Sequence, residues 1–115
     1  MFYLFLAFHR CIRSRNVSIF DLLLKQPKIN IELSNLVYET PFLLSINLIA
    51  EDCYYFAEKL LAKEVLLDWS NPENGDSLLH GSVKNGNEKA ALFLVENGAN
   101  VNMVNNLGET ILHLG

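Results

Sequence analysis

The feature that most constrains this chain is a recurrence. The hexapeptide Gly75-Asp76-Ser77-Leu78-Leu79-His80 returns as Gly108-Glu109-Thr110-Ile111-Leu112-His113, 33 residues further on, with the order glycine, acid, hydroxyl, apolar, apolar, histidine kept throughout. A period of that size belongs to repeat architectures, in which each repeat is one supersecondary unit that buries its apolar face against its neighbour. The intervening stretch GSVKNGNEKAALFLVENGANVN reads as the end of a short helix, a turn at Gly86, a second helix over 88–96, and a glycine-alanine step at Gly98-Ala99 leading into an extended excursion. At 115 residues the chain is the size of one domain, so a single architecture should account for all of it.

These residues resemble the ankyrin repeat, whose pattern is G-x-T-P-L-H-x-A, a glycine turn, a Leu-Leu pair and a closing G-A-D-V-N. Ser77 stands at the threonine position, Leu78 at the proline, Leu79 and His80 at Leu-His, Gly86 at the inter-helix glycine, Leu94-Val95 at the Leu-Leu pair and Gly98 to Asn102 at the closing motif. Upstream, Glu39-Thr40-Pro41-Phe42-Leu43 begins another copy, 37 residues before Ser77. Its extra residues are expected as a longer link around Ile49 to Cys53, with one more near Glu64 to Asp68. A more degenerate copy runs from Ala7-Phe8-His9-Arg10-Cys11-Ile12 through Leu22-Leu23-Leu24 to Ile29-Asn30-Ile31-Glu32. It has Leu6 where threonine would be and Pro27-Lys28 around the usual helix-ending glycine. The resemblance implies an all-α fold, an ankyrin-repeat solenoid of stacked helix-turn-helix units joined by hairpin-like loops, with repeats at about 5–37, 38–74 and 75–107 and a fourth begun at 108–115.

Local chemistry supports this division. Thr40, Ser77 and Thr110 each precede a first helix, where a hydroxyl accepts a hydrogen bond from an otherwise unpaired amide, an interaction worth about 1 kcal/mol. Pro41 then occupies the first helical position, where its missing N–H costs nothing. In the second helix of the third repeat, Ala91, Leu92, Leu94 and Val95 are expected to form the packed side, and Gly98 to end the helix in the left-handed region. The matching helix of the second repeat is expected over Tyr54 to Lys63, burying some of Phe56, Leu60 and Leu61, with one of Tyr54 and Tyr55 turned outward. The opening MFYLFLAF lacks a basic segment before it, is too short for a membrane span, and runs directly into His9 and Arg10, so it reads as core-facing helix.

Composition then excludes several functions. Half the residues are hydrophobic, and nine Lys and Arg against thirteen Asp and Glu give a net charge of -4 with no basic stripe beyond Arg10, Arg13 and Arg15, which argues against a nucleic-acid partner. Cys11 and Cys53 form no CxxC pair and read as packing residues in a reducing, cytoplasmic setting. His80, His113 and His9 share one phase of the repeat, and recurrence at a structural period points to a structural role. The resemblance implies that this histidine ties neighbouring hairpins together. No nucleophile elbow, phosphate loop or metal-ligand helix is present, so no enzyme activity, cofactor or metal site is expected. The asparagine-rich run from Asn97 to Asn106 reads as loop-building sequence.

The resemblance implies a protein-binding module whose contacts come from hairpin tips and the ends of first helices. Carried over position by position, these are Leu36, Val37, Glu39, Asn47 and Leu48; Glu73, Asn74, Asp76, Lys84 and Asn85; Asn106, Leu107 and Glu109; and, in the first repeat, Arg13 beside Ser14. Acids at Glu39, Asp76 and Glu109 point to a partner with a complementary basic patch. The alternatives are a non-catalytic scaffold or regulatory segment of a larger multidomain protein, including an enzyme with its active site elsewhere, or a simple spacer. The segments NPENGDSLLH and NEKAALFLVENGANVN resemble more narrowly the arrays of endosomal ankyrin and FYVE-domain adaptors, although no FYVE zinc segment is present; endosomal association would come only through a parent chain or partner. Apolar residues near both ends, from Phe2 to Phe8 and at Ile111, Leu112 and Leu114, lead us to expect further ankyrin repeats of the same parent chain and no direct membrane insertion.

Overall fold

The computed structural model describes residues 2–27, 29–32, 34 and 37–114, with side chains from Leu6 to His113 within that range. Its helices are α1 (Phe2–Arg13), α2 (Val17–Leu24), α3 (Pro41–Leu48), α4 (Tyr55–Leu61), α5 (Leu78–Lys84), α6 (Glu88–Glu96) and α7 (Ile111–Leu114), with a 3₁₀ turn at Ile49–Glu51 after α3. Sheet pairing among the described residues is confined to one antiparallel bridge, Ser70 with Ser77. No helix among them is long and apolar enough to cross a membrane. The chain forms two compact units, one of Met1–Ile46 with Cys53–Val65, the other of Asn47–Asp52 with Leu66–Gly115.

In the first unit, α1 buries Phe8, Cys11 and Ile12, a spacing of three and then one that keeps them on one helical face. Phe20 of α2 is fully buried and meets Phe8 and Phe56 edge-on, at centroid distances of 6.0 and 4.8 Å, the arrangement that ring quadrupoles favour. Asn16 caps α2 by accepting from the Ile19 amide at 3.1 Å, and Thr40 Oγ1 caps α3 through the Leu43 amide at 3.2 Å, with Pro41 as its first residue. Burial pushes the Cys11 thiol up to about 11, in keeping with its packing position. The helix α4 is shorter than expected, Tyr55–Leu61 in place of Tyr54 to Lys63. It ends through tight bonds from Lys63 to the Leu60 carbonyl and from Glu64 to that of Leu61, each 3.0 Å, after which Glu64 turns left-handed at φ 60°. Its buried residues are Phe56, Ala57 and Leu60, while Leu61 is half-buried. Tyr54 and Tyr55 are both half-buried. The Tyr55 hydroxyl reaches the two Asp21 oxygens at 2.7 and 2.6 Å, which raises the phenol above its ordinary pKa.

In the second unit, α5 and α6 pair across a turn in which Gly86 has φ 68°. The turn bonds from Gly86 to the Val83 carbonyl (3.1 Å) and from Asn87 to that of Ser82 (2.8 Å) match those in the α1–α2 turn from Arg15 to Ile12 (3.1 Å) and from Asn16 to Cys11 (2.8 Å). Asn87 caps α6 as Asn16 caps α2. The helix α6 has the expected bounds but a different packed side. Ala90 and Leu94 are buried, whereas Leu92 is 60% and Val95 44% exposed. Positions 90 and 94 lie four apart on one face, and Leu92 lies between them on the other side of the helix. The extra residues after α3 form the 3₁₀ turn, closed by Asp52 at φ 64°. The loop motifs also recur: the Glu32 amide bonds to Asn30 Oδ1 at 3.0 Å in the first unit, and the Asn102 amide to Asn100 Oδ1 at 2.9 Å in the second.

Candidate protein-binding surface

The hairpin before α5 is closed by backbone bonds from Asn71 to the Asp76 carbonyl (2.8 Å) and from Gly75 to that of Asn71 (2.7 Å). Asparagine side chains stiffen it: Asn71 Oδ1 accepts from the Glu73 amide and Asn74 Oδ1 from that of Asp76, each at 2.8 Å. The following hairpin is organised by Asn105, whose Oδ1 accepts from the amides of Leu107 (3.0 Å) and Glu109 (2.9 Å). The two hairpins lie against each other. The Asn106 amide donates to the Asn74 carbonyl at 2.9 Å, its side chain reaches the Glu73 carbonyl at 3.4 Å, and a Cβ on Gly75 would lie 2.8 Å from the Asn106 nitrogen and collide with Asn106 Oδ1 as well.

Histidines tie two of the loops, those at Glu39 and Glu109, to the first helix before each. His80 is fully buried, and its Nδ1 accepts from the Ser77 amide at 3.1 Å and lies 2.7 Å from Ser77 Oγ, while Ser77 Oγ accepts from the His80 amide at 3.2 Å. Nδ1 is thereby the accepting nitrogen, so Nε2 carries the proton and donates to the Glu109 carbonyl at 2.7 Å. In the first unit His9 Nε2 makes the corresponding contact with the Glu39 carbonyl at 2.8 Å. Thr110 departs from the expected cap: its hydroxyl faces His113 Nδ1 at 3.1 Å, and the His113 amide bonds to the Thr110 carbonyl.

Three of the hairpin acids, Asp76, Glu109 and Glu39, have partners within the fold. Asp76 is only 7% exposed and receives Lys84 Nζ at 2.8 Å and Asn105 Nδ2 at 2.9 Å. Burial alone would push its carboxyl up, but the hydrogen bonds and charge of Lys84, the Asn105 amide and the proximity of His80 hold it below the ordinary 3.8. Glu109 is half-buried and receives Asn105 Nδ2 at 2.9 Å. Glu39 is half-buried and pairs with Arg13 Nη2 at 2.6 Å. Of the three acids expected at the rim, Asp76 is buried, while Glu39 and Glu109 stay partly exposed beside their internal partners. Asn105, which organises the arrangement, carried no sequence signal beyond its place in an asparagine-rich loop.

Of the remaining candidates, Val37 and Asn47 are exposed, Leu48 is half-buried, and Leu36 lies outside the described residues. Glu73, Asn74, Lys84, Asn85, Asn106 and Leu107 are exposed in the second unit, Leu107 to 81%. Among the described residues no group of three or more His, Cys, Asp or Glu could hold a metal ion.

Comparison with known proteins agrees with this geometry. Residues 79–115 match the family model of ankyrin repeats. Human Rabankyrin-5 is 45% identical over 58 residues, covering 50% of this chain and 5% of that protein. Mouse Rabankyrin-5 is 30% identical over a 125-residue alignment, covering 91% of this chain and 11% of that protein. The chain therefore spans only a small part of the length of these relatives. Among solved structures, the ankyrin repeat domain of Bcl-3, described as a unique member of the IkappaB family, superposes with a TM-score of 0.81 over 93% of this chain and 47% of that one, at 24% identity. By motif, family match and fold, this chain carries ankyrin repeats.

Proposed function

We propose that the chain is a protein–protein interaction module whose second unit binds a partner through Asn74, Asn85, Asn106 and Leu107, with Glu73 and Lys84 at the margin. The observation that carries this reading is Leu107, a large apolar side chain held 81% exposed at a hairpin tip that Asn105 and Asn74 keep rigid. A preformed loop loses little entropy on binding, and exposed amides beside an apolar anchor suit a peptide segment offering backbone groups and an apolar side chain. With Asp76 and Glu109 bonded internally, the partner need not be basic, and binding should respond weakly to salt. In the first unit the corresponding positions are Arg13, Val37 and Glu39.

A second reading, a scaffold or regulatory segment of a longer multidomain protein of the trafficking-adaptor kind, is supported by the Rabankyrin-5 alignments. Both readings are non-catalytic and place the module in the cytoplasm. Photo-cross-linking residues placed at Asn85 and Leu107, and at Leu92 of α6 as control, test the binding surface. The same protein is expected to be captured from the first two positions and not from Leu92; capture from Leu92 alone would overturn the assignment.

A further inference from the structure

Three asparagines are followed by glycine: Asn74, Asn85 and Asn97. In this dipeptide the glycine nitrogen meets the least steric hindrance to attack on the preceding side-chain amide. The nitrogen bonds to Cγ, the side-chain nitrogen leaves as ammonia with the proton lost from the backbone amide, and water opens the resulting succinimide at either carbonyl to give aspartate or isoaspartate. Any of the three could react in an unfolded chain, but the fold treats them differently.

Asn74 is held at both ends. Its Oδ1 accepts from the Asp76 amide at 2.8 Å, its carbonyl accepts from Asn106 at 2.9 Å, and the Gly75 nitrogen that would attack is committed to the Asn71 carbonyl at 2.7 Å. Asn106 also closes the space beside Gly75. Asn97 is exposed, but its Nδ2 donates to the Phe93 carbonyl at 2.8 Å, which turns the amide back along α6. Asn85 is exposed and its side chain makes no hydrogen bond among the described residues. The space beside Gly86 is open, as it is beside Gly98, and the Gly86 nitrogen has a 3.1 Å bond to the Val83 carbonyl just as that of Gly98 has to Val95. The side-chain amide, bonded at Asn97 and not at Asn85, is what separates the two sites. Helix ends open with little free energy, so these backbone bonds are transiently released.

We infer that Asn85-Gly86 is a deamidation site, the first of the three to react in the folded protein. The reaction replaces a neutral amide with a carboxylate at the C-terminal end of α5, where unpaired carbonyls already concentrate negative charge. It also sets a second acid beside Lys84, in competition with Asp76. The inference is independent of partner binding.

The test is peptide mass spectrometry of the intact folded protein incubated at neutral pH in heavy-oxygen water, alongside a sample unfolded in urea. Heavy-oxygen incorporation in the folded protein is expected to be several-fold faster at Asn85 than at Asn97 and slowest at Asn74, with the three rates converging in urea. An Asn85→Gln variant should lose the leading signal and keep the Asn97 rate, which serves as an internal clock. Incorporation led by Asn97 or Asn74, or equal at all three positions in the folded protein, would overturn the inference.

Discussion

Gly75 and Gly86 share a left-handed backbone, with φ of 75° and 68°, but differ in surroundings. Around Gly86 a Cβ would meet nothing within 4 Å, whereas on Gly75 it would lie 2.8 Å from the Asn106 nitrogen. Alanine at Gly86 therefore pays only for the left-handed conformation, about 1 kcal/mol. Alanine at Gly75 has the same conformational cost and must also push away the Asn106 backbone, losing the 2.9 Å bond to the Asn74 carbonyl, so the total should reach about 2–3 kcal/mol. With an m-value of about 2 kcal/mol/M, urea midpoints should fall by roughly 0.5 M for Gly86→Ala and roughly 1–1.5 M for Gly75→Ala. Trp69, the one tryptophan, reports from the same unit by fluorescence. Equal shifts for the two variants would refute the close apposition of the hairpins.

Three further predictions concern the local chemistry. Thr40→Val should destabilise by about 1 kcal/mol through loss of the cap on Leu43, measurable as a lower urea midpoint. Glu64→Gly should stabilise by about 0.5–1 kcal/mol, because it relieves a left-handed non-glycine residue and removes an acid from a helix C-terminal end. Asp76 has a lowered folded-state pKa, so the stability it contributes is present above its ordinary value of 3.8 and is lost as pH falls from there through the lower folded value. Asp76→Asn should therefore be less stable than wild type at neutral pH, with the gap closing in acid; a gap constant with pH would contradict the charge pairing.

Much of the fold was legible because it rests on local chemistry. The hydroxyl of Ser77, the glycines 86 and 98 and the 33-residue phase each specify backbone geometry within a few residues, and the bounds of α6 follow from them. Side-chain direction was harder to read. Leu92 and Val95 looked like core from composition, yet the smaller Ala90 is what fits the buried face beside Leu94. The hairpin acids looked solvated because turn residues usually are. Lys84 for Asp76 and Asn105 for Glu109 are local partners, but the bonds from Asn105 to Asp76 and from Arg13 to Glu39 span about 30 residues, and no short window along the chain contains both members of those pairs. Arg15 and Asp52 likewise take left-handed turns that sequence patterns assign to glycine.

The binding surface is tested most directly by the dissociation constant of the partner captured through Asn85 or Leu107. It should be measured for wild type, for the double change Asn85→Arg with Leu107→Arg, and for Leu92→Arg. These side chains are exposed, so circular dichroism should not change. The double variant should bind at least about tenfold more weakly, a loss of about 1.4 kcal/mol, while Leu92→Arg binds as wild type does. Unchanged affinity for the double variant together with a loss for Leu92→Arg would contradict the assignment and move the binding surface to α6.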